Sequence, residues 1–321
     1  MSNRRRILQI AVLAALRPVG AQAQRVARIG ILSNWSRTEP VWPPFFAELK
    51  KRGWSDGHNL VVEARFVRNK IDEYAPAAAE LVATQPEVIL GTSSNAIDAL
   101  RKASSTIPIV MVTVGNAVEA GFVSSLARPG GNVTGVTMST GGPGLNEKRL
   151  QMLLALRPDL RRIAVLWDPG NRGSALSFRA FQEAASGFGM QVVSLPIERR
   201  EQIEPMLAIA LQQSVQALLV HPTIGVDEGR LAAWAIEHRI ATVGQPDSVP
   251  GGLLMAYGPD TPDQFRLAAT YIDGILRGAR AAELPVQQPM LYRFSLNLKT
   301  AKALRLTVPQ DLLLQADELI R

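Results

Sequence analysis

The feature that most constrains this chain is a repeat. Residues 162–166 (RIAVL) echo 28–32 (RIGIL), and three further apolar runs recur in the same order, 129 to 134 residues apart. Residues 190–195 answer the run beginning at Asn59, 215–221 answer 86–92, and 240–243 answer 107–110. Any two buried strands resemble each other in composition, so order and near-constant spacing carry the inference. Helix-patterned segments separate the runs in both halves, among them 177–186 and 231–238. Short apolar strands alternating with helices build parallel sheets covered on both faces. The expectation is α/β, with two similar lobes that each hold a doubly wound parallel sheet.

Open sheets of this kind bind ligands beyond the carboxyl ends of their strands, so two facing lobes create one cleft that closes about a hinge. The chain leaves the first half through the glycine-rich stretch 127–135 (ARPGGNVTG) and the cluster Gly141, Gly142, Gly144. A strand at 251–258 (GGLLMAYG) brings it back, and a third crossing falls between about 286 and 300. Lobe one is expected to span 24–138 plus about 258–290, and lobe two 139–257 plus about 291–321. The tail 308–320 reads as a docked helix or a pair of turns.

Residues 1–23 carry Arg4, Arg5 and Arg6, an apolar segment at 7–16, and Ala21 and Ala23 in an A-x-A pattern. This is the form of a cleaved secretory signal, and its apolar part is well short of the roughly 20 residues that span a bilayer. These residues hold four Arg and no acid, so the mature count is 31 Lys and Arg against 28 Asp and Glu, a net charge of +3. Nucleic-acid binding has little support in a body so nearly neutral. The chain has no cysteine, which excludes disulfides, thiol catalysis, thiolate metal sites and a lipid-anchored cysteine. The three histidines, His58, His221 and His238, are not at metal-ligand spacing. A freely diffusing periplasmic protein is the expectation, with neither metal nor cofactor.

One stretch stands out for chemistry. In 86–100 (PEVILGTSSNAIDAL), a strand stops at Gly91, and Thr92, Ser93 and Ser94 lead into a helix. Hydroxyls and free N–H groups at a helix N-terminus favour a carboxylate or phosphate. The same residues also serve as ordinary N-caps, and both readings stand at this point.

Five segments, FFAELKKRGWSDGHNLVVEARF, SSLARPGGNVTGVT, EKRLQMLLALRP, GGLLMAYGPD and LPVQQPMLYRFSLNLKTAKALRLTVPQDLLLQADELI, resemble ABC-transporter substrate-binding proteins of the group that takes up tryptophan and tyrosine. The likeness runs over essentially the whole mature chain. It implies a type I periplasmic binding fold with a three-crossover hinge and a bound small solute. It also implies a monomer that is not an enzyme and that delivers its solute to a membrane permease with its ATPase.

The resemblance places candidate ligand contacts at strand ends. In lobe one these are Asn34 and Trp35, then Thr92, Ser93 and Ser94, then Thr113 and Asn116. In lobe two they are Asn171, His221, Thr223, Gln245 and Asp247, with Tyr257 near the hinge. Ser93, Ser94 and Thr113 would hold a carboxylate, Trp35 would cover an aromatic portion or pack under its loop, and Asp247 would neutralise an ammonium group or sit solvated. His221 would donate to a ligand oxygen with pH-dependent affinity, or bond locally. The chain departs from the family pattern at Asn116-Ala117 and His221-Pro222, where Asp-Pro is usual, and at Gln245, near which Arg is common. These departures point to distal ligand groups unlike those of aromatic amino-acid binders.

Two other functions are compatible with export: a ligand-sensing module for a membrane receptor, and a secreted enzyme. No G-x-S-x-G, G-x-G-x-x-G, P-loop or H-E-x-x-H motif supports the enzyme. A repressor of similar fold would begin with a helix-turn-helix domain instead of an export signal.

Overall fold

The structure, a computed structural model, describes residues 25–67, 70–138 and 144–321, so the expected export signal lies outside the described residues. The first half builds β1 (Ala27–Ser33), α1 (Trp42–Lys51), β2 (Leu60–Phe66), α2 (Tyr74–Ala83), β3 (Val88–Gly91), α3 (Ser94–Ala103), β4 (Ile109–Gly115) and β5 (Val133–Met138). The second half builds α4 (Leu145–Leu156), β6 (Arg162–Trp167), α5 (Arg172–Gly187), β7 (Gln191–Pro196), α6 (Ile203–Gln212), β8 (Ala217–Val220), α7 (Glu228–Glu237), β9 (Ala241–Gly244) and β10 (Met255–Pro259).

The repeat in sequence is a repeat in space. The first sheet is ordered β2-β1-β3-β4-β5, and the second repeats that order as β7-β6-β8-β9-β10, all parallel. Registers correspond as well: Ile29 stands beside Val62 and Val88, and Ile163 beside Val192 and Ala217. The central strands are buried on both faces, which is why they read as unbroken apolar runs.

The last quarter of the chain is divided between the lobes. In α8 (Thr261–Leu276), Phe265, Ala268 and Ile272 pack with Trp42, Phe45 and Leu49 in the core of the first lobe. β11 (Tyr292–Asn297) runs antiparallel to β10, and after α9 (Leu298–Ala303) and α10 (Gln310–Gln315) a short β12 (Glu318–Ile320) joins it to complete seven strands. Three crossings therefore link the lobes, following β5, β10 and the segment that bridges Val136 through Gln287. The second and third are tied together by Asp260 N–H donating to Leu291 O at 2.9 Å.

The boundaries that differ from the sequence expectation have identifiable causes. α5 begins at Arg172 because Asn171 caps it, accepting from Ser174 N–H, and α7 begins at Glu228 because Asp227 caps it. β4 continues to Gly115, beyond its apolar run, through a register shift between Met111 and Val114. The tail ends in a strand because β11 leaves an edge that Leu319 and its neighbours pair.

The β4 irregularity depends on Gly135. Its φ is +125°, and a Cβ there would stand 2.3 Å from Met111 O and 2.7 Å from Met111 N. Gly135→Ala should lower stability by about 2 kcal/mol or more, whereas Gly131→Ala, which meets nothing within 4 Å, should stay within about 0.5 kcal/mol of the parent. Urea unfolding of the two variants checks this.

Candidate ligand-binding cleft

The loops beyond β1, β3, β4, β6, β8 and β9 converge on a cavity of about 670 Å³ between the lobes, a size suited to enclosing a small molecule. Asn34, Trp35, Thr92, Ser93, Ser94 and Thr113 line it from the first lobe. From the second come Asn171, His221, Thr223, Gln245 and Asp247. Asn116 and Tyr257 are outside the lining: Asn116 Nδ2 donates to Glu119 Oε2 at 3.2 Å, and Tyr257 stacks on Tyr292 with centroids 5.8 Å apart.

A hydroxyl and amide network orders the first-lobe wall. Thr92 Oγ1 donates to Ser33 Oγ at 3.0 Å, and Trp35 N–H donates to the same Ser33 oxygen at 3.0 Å. With its amide nitrogen toward Thr92, Asn34 donates to Thr92 Oγ1 at 2.8 Å and accepts from Trp35 Nε1 at 3.0 Å. Trp35, half-buried, also packs against Phe265 at a centroid distance of 5.3 Å, so the ring is both packed and exposed to the cavity. Thr113 takes φ +55°, an unusual conformation for a β-branched residue, and its hydroxyl donates to Thr92 O at 2.6 Å. Such strain costs of order 1–3 kcal/mol and persists where surrounding structure enforces it.

Ser93 proves to be the N-cap of α3. Its oxygen accepts from Ala96 N–H at 3.2 Å and its hydroxyl donates to Tyr74 OH at 3.3 Å, while burial pushes the Tyr74 phenol up to about 12. What remains for a ligand is the Ser94 hydroxyl, which lines the cavity, and the backbone: the N–H groups of Ser94 and Asn95 precede the first intrahelical donor, Ile97 N–H. Facing them is the N-terminus of α5, capped by Asn171. A Cβ added to Gly173 would lie 2.8 Å from Ser94 Oγ and 3.8 Å from Gly115 N. Beside it Arg172 Nη1 reaches across to Ala120 O at 2.7 Å, so the lobes are closed on each other.

The second-lobe wall corrects two expectations. Burial, reinforced by the charge of Arg149, pushes the His221 imidazole down to about 3, so it is neutral near pH 7 and does not confer pH-dependent affinity there. His221 Nδ1 lies 2.9 Å from Thr223 Oγ1 and 3.4 Å from Thr223 N–H, and with Nδ1 assigned as the acceptor of both the proton is on Nε2. Asp247 Oδ1 accepts from Arg293 Nη2 at 2.5 Å, so its charge is already matched. The cavity's other carboxylates are Glu39, in the loop after β1, and Glu228, at the start of α7. Burial raises the Glu228 carboxyl, a Ser248 hydrogen bond opposes the rise, and the charges of Glu39, Asp247 and Asp227 add to it.

Glu39, Glu228, Gly173 and Arg149 were not singled out from the sequence. Glu39 shares a strand-end loop with Trp35 and Glu228 directly follows a helix cap, so both carried a usable signal. Arg149, in the EKRLQML helix, carried none. Among the described residues no group of three or more His, Cys, Asp or Glu is placed to hold a metal ion, and no helix is long and apolar enough to cross a membrane.

His221 makes stability pH-dependent. Its imidazole takes up a proton near pH 6.5 in the unfolded chain but only near 3 in the folded one, so its contribution is complete above 6.5 and is lost as pH falls toward 3. Acidification from pH 7 to 5 should lower the urea midpoint of the parent more than that of His221→Gln. The difference should approach 1.4 kcal/mol for each unit below 6.5, on the order expected for one proton.

Residues 41–320 match the family model described as ABC transporter substrate binding protein. A tyrosine-binding protein of Clostridioides difficile (strain R20291) is 25% identical over 266 residues, covering 81% of this chain and 75% of that protein. Among solved structures, an ABC domain from Streptococcus pneumonia in complex with L-Trp superposes with TM-score 0.83 at 22% identity, covering 92% of this chain and all of the other. A ligand-free, open substrate-binding protein with adhesive properties from Clostridium difficile gives 0.66 at 22% identity, covering 92% of this chain and 99% of that one. The two-lobed architecture is the type I periplasmic binding fold, and the chain belongs to the ABC transporter substrate-binding protein family.

Proposed function

We propose that this protein is the periplasmic solute-binding component of an ABC importer. It captures a small carboxylate-bearing solute, an amino acid or an aromatic or organic acid, in the interlobe cleft and delivers it to a permease and its ATPase. The observation that carries the reading is the closed cleft in which the N-termini of α3 and α5 meet over the cavity. Both helix ends are positive, and a carboxylate between them accepts the N–H groups of Ser94 and Asn95, each bond to a charged group contributing about 1.5–3 kcal/mol. Trp35 supplies a flat apolar face for the body of the solute. The names of the relatives, one binding tyrosine and one holding L-Trp, support an amino-acid-like ligand. Export by the N-terminal signal and docking of the closed form on the permease complete the role.

Mature protein should gain thermal stability with at least one member of a panel of amino acids and organic acids, because a ligand that binds only the folded state stabilises it by mass action. No shift with any member would sink this solute class. Gly173→Val should hold the lobes apart, with only a small loss of stability at the α5 cap, where a Cβ would stand 3.4 Å from Asn171 Oδ1. The expected result is tenfold weaker binding or more, with a larger radius of gyration in small-angle scattering; unchanged affinity would show that closure does not pass through this contact.

A further inference from the structure

Beside the main cavity, inside the second lobe, lies a smaller chamber of about 30 Å³. It shares His221 and Gln245 with the main cavity, and Val165, Phe178, Phe181 and Leu219 form much of its wall. That volume exceeds what a single water needs and accommodates the two oxygens of a carboxylate.

Arg149, from α4, is the charged group of this chamber among the described residues. Its Nε donates to Tyr257 O at 2.6 Å and Nη1 reaches Asn146 Oδ1 at 3.5 Å, while Nη2 has no acceptor among the described residues. No carboxylate among the described residues pairs with the guanidinium. Burial pushes Arg149 down to about 10, which leaves it charged at neutral pH. A half-buried cation beside apolar side chains is stabilised by a counter-ion.

The neighbours of Arg149 suit an anion. His221 is neutral and turns its Nε2–H away from Thr223, so it can donate without competing for the charge. Arg149 Nη2 and Gln245 Oε1 each lie 3.2 Å from the point where a Cβ on Gly258 would stand, so guanidinium and amide share one corner, which stays open because residue 258 is glycine.

We propose that this chamber is a second anion subsite, in which Arg149 and the His221 Nε2–H receive the distal carboxylate of a diacid, with the Gln245 amide oxygen beside the guanidinium. The solute's other carboxylate sits at the N-terminus of α3, so the inference rests on the carboxylate reading of the cleft given above and narrows it to dicarboxylic acids.

Calorimetric titration of the mature protein with matched pairs tests this: benzoate and terephthalate, butyrate and succinate, hexanoate and adipate, phenylalanine and 4-carboxyphenylalanine. In at least one pair the diacid should bind tenfold tighter or more, and Arg149→Met should remove that preference while retaining monoacid binding. Arg149 also holds the Tyr257 carbonyl, so Gln245→Glu serves as a second variant. It supplies a built-in counter-ion, which should raise the thermal midpoint and abolish the diacid preference. Diacids that bind no better than their monoacid partners, or a preference that survives in either folded variant, would overturn the subsite and leave the carboxylate reading intact. If no compound of either kind binds the parent protein, the carboxylate reading falls and the subsite with it.

Discussion

The approach of Gly173 to Ser94 sets the separation of the lobes, and the cleft takes its dimensions from it. The two residues belong to the first turns of α3 and α5, so closure brings two positive helix ends together over one cavity. It also places Glu39 of the first lobe near Glu228 of the second, and that proximity helps raise the Glu228 carboxyl once burial has done the larger part. Like partial charges meet at the cavity and like carboxylates meet across it. A closed cleft therefore holds charge that a ligand is well placed to satisfy, and binding and closure become one coupled process.

The lobes contribute different chemistry to that process. On the first-lobe wall, neutral groups dominate: the Ser33, Asn34 and Thr92 network fixes Trp35, and Thr113 is held in a strained conformation by its bond to Thr92 O. Such a surface is preorganised, because its donors and its aromatic face already have their positions before a solute arrives. The second-lobe wall contains more formal charge, in Arg149, Arg200, Glu228 and Asp247, together with an imidazole kept neutral by its surroundings. An unmatched charge costs more than an imperfect apolar fit, so charged groups on this wall discriminate more sharply than the apolar face opposite.

The fold was legible in the sequence because its signal is redundant. Four buried strands per lobe recur in order, so an error at one position, such as the early end assigned to β4, does not disturb the topology. Features produced by a single contact were less legible. β12 is a short strand that forms only because β11 offers an edge, and nothing in ADELI separates it from a turn. In the site, strand-end logic brought together residues as distant as Asn34 and Asp247, because the rule about parallel sheets concerns where loops converge. It could not tell how each side chain is used. Ser93 and Asn171 line the cavity and still spend hydrogen-bonding capacity on caps, and Asp247 is matched by Arg293, a residue 46 positions away. Arg149 was the hardest to find, since one arginine on a helix has the same pattern whether it meets open solvent or a chamber in the lobe.

Two charged groups of the second lobe, Arg149 and Asp247, share a further property: they are bonded to the strands that lead into the hinge. Arg149 holds the carbonyl of Tyr257 on β10, two residues before Pro259, where that strand ends and the chain turns into α8 of the first lobe. Arg293, on β11, engages Asp247 at 2.5 Å and lies 3.6 Å from Asp260, the cap of α8. Asp260 N–H in turn donates to Leu291 O on the third crossing. A charge on the second-lobe side of the cleft therefore lies beside side chains that hold the crossings themselves, whereas a group at Ser94 lies at the direct contact between the lobes. The charges of the second-lobe wall and the geometry of the hinge are joined through Arg149 and Asp247, which ties the chemistry of the cleft to the angle between the lobes.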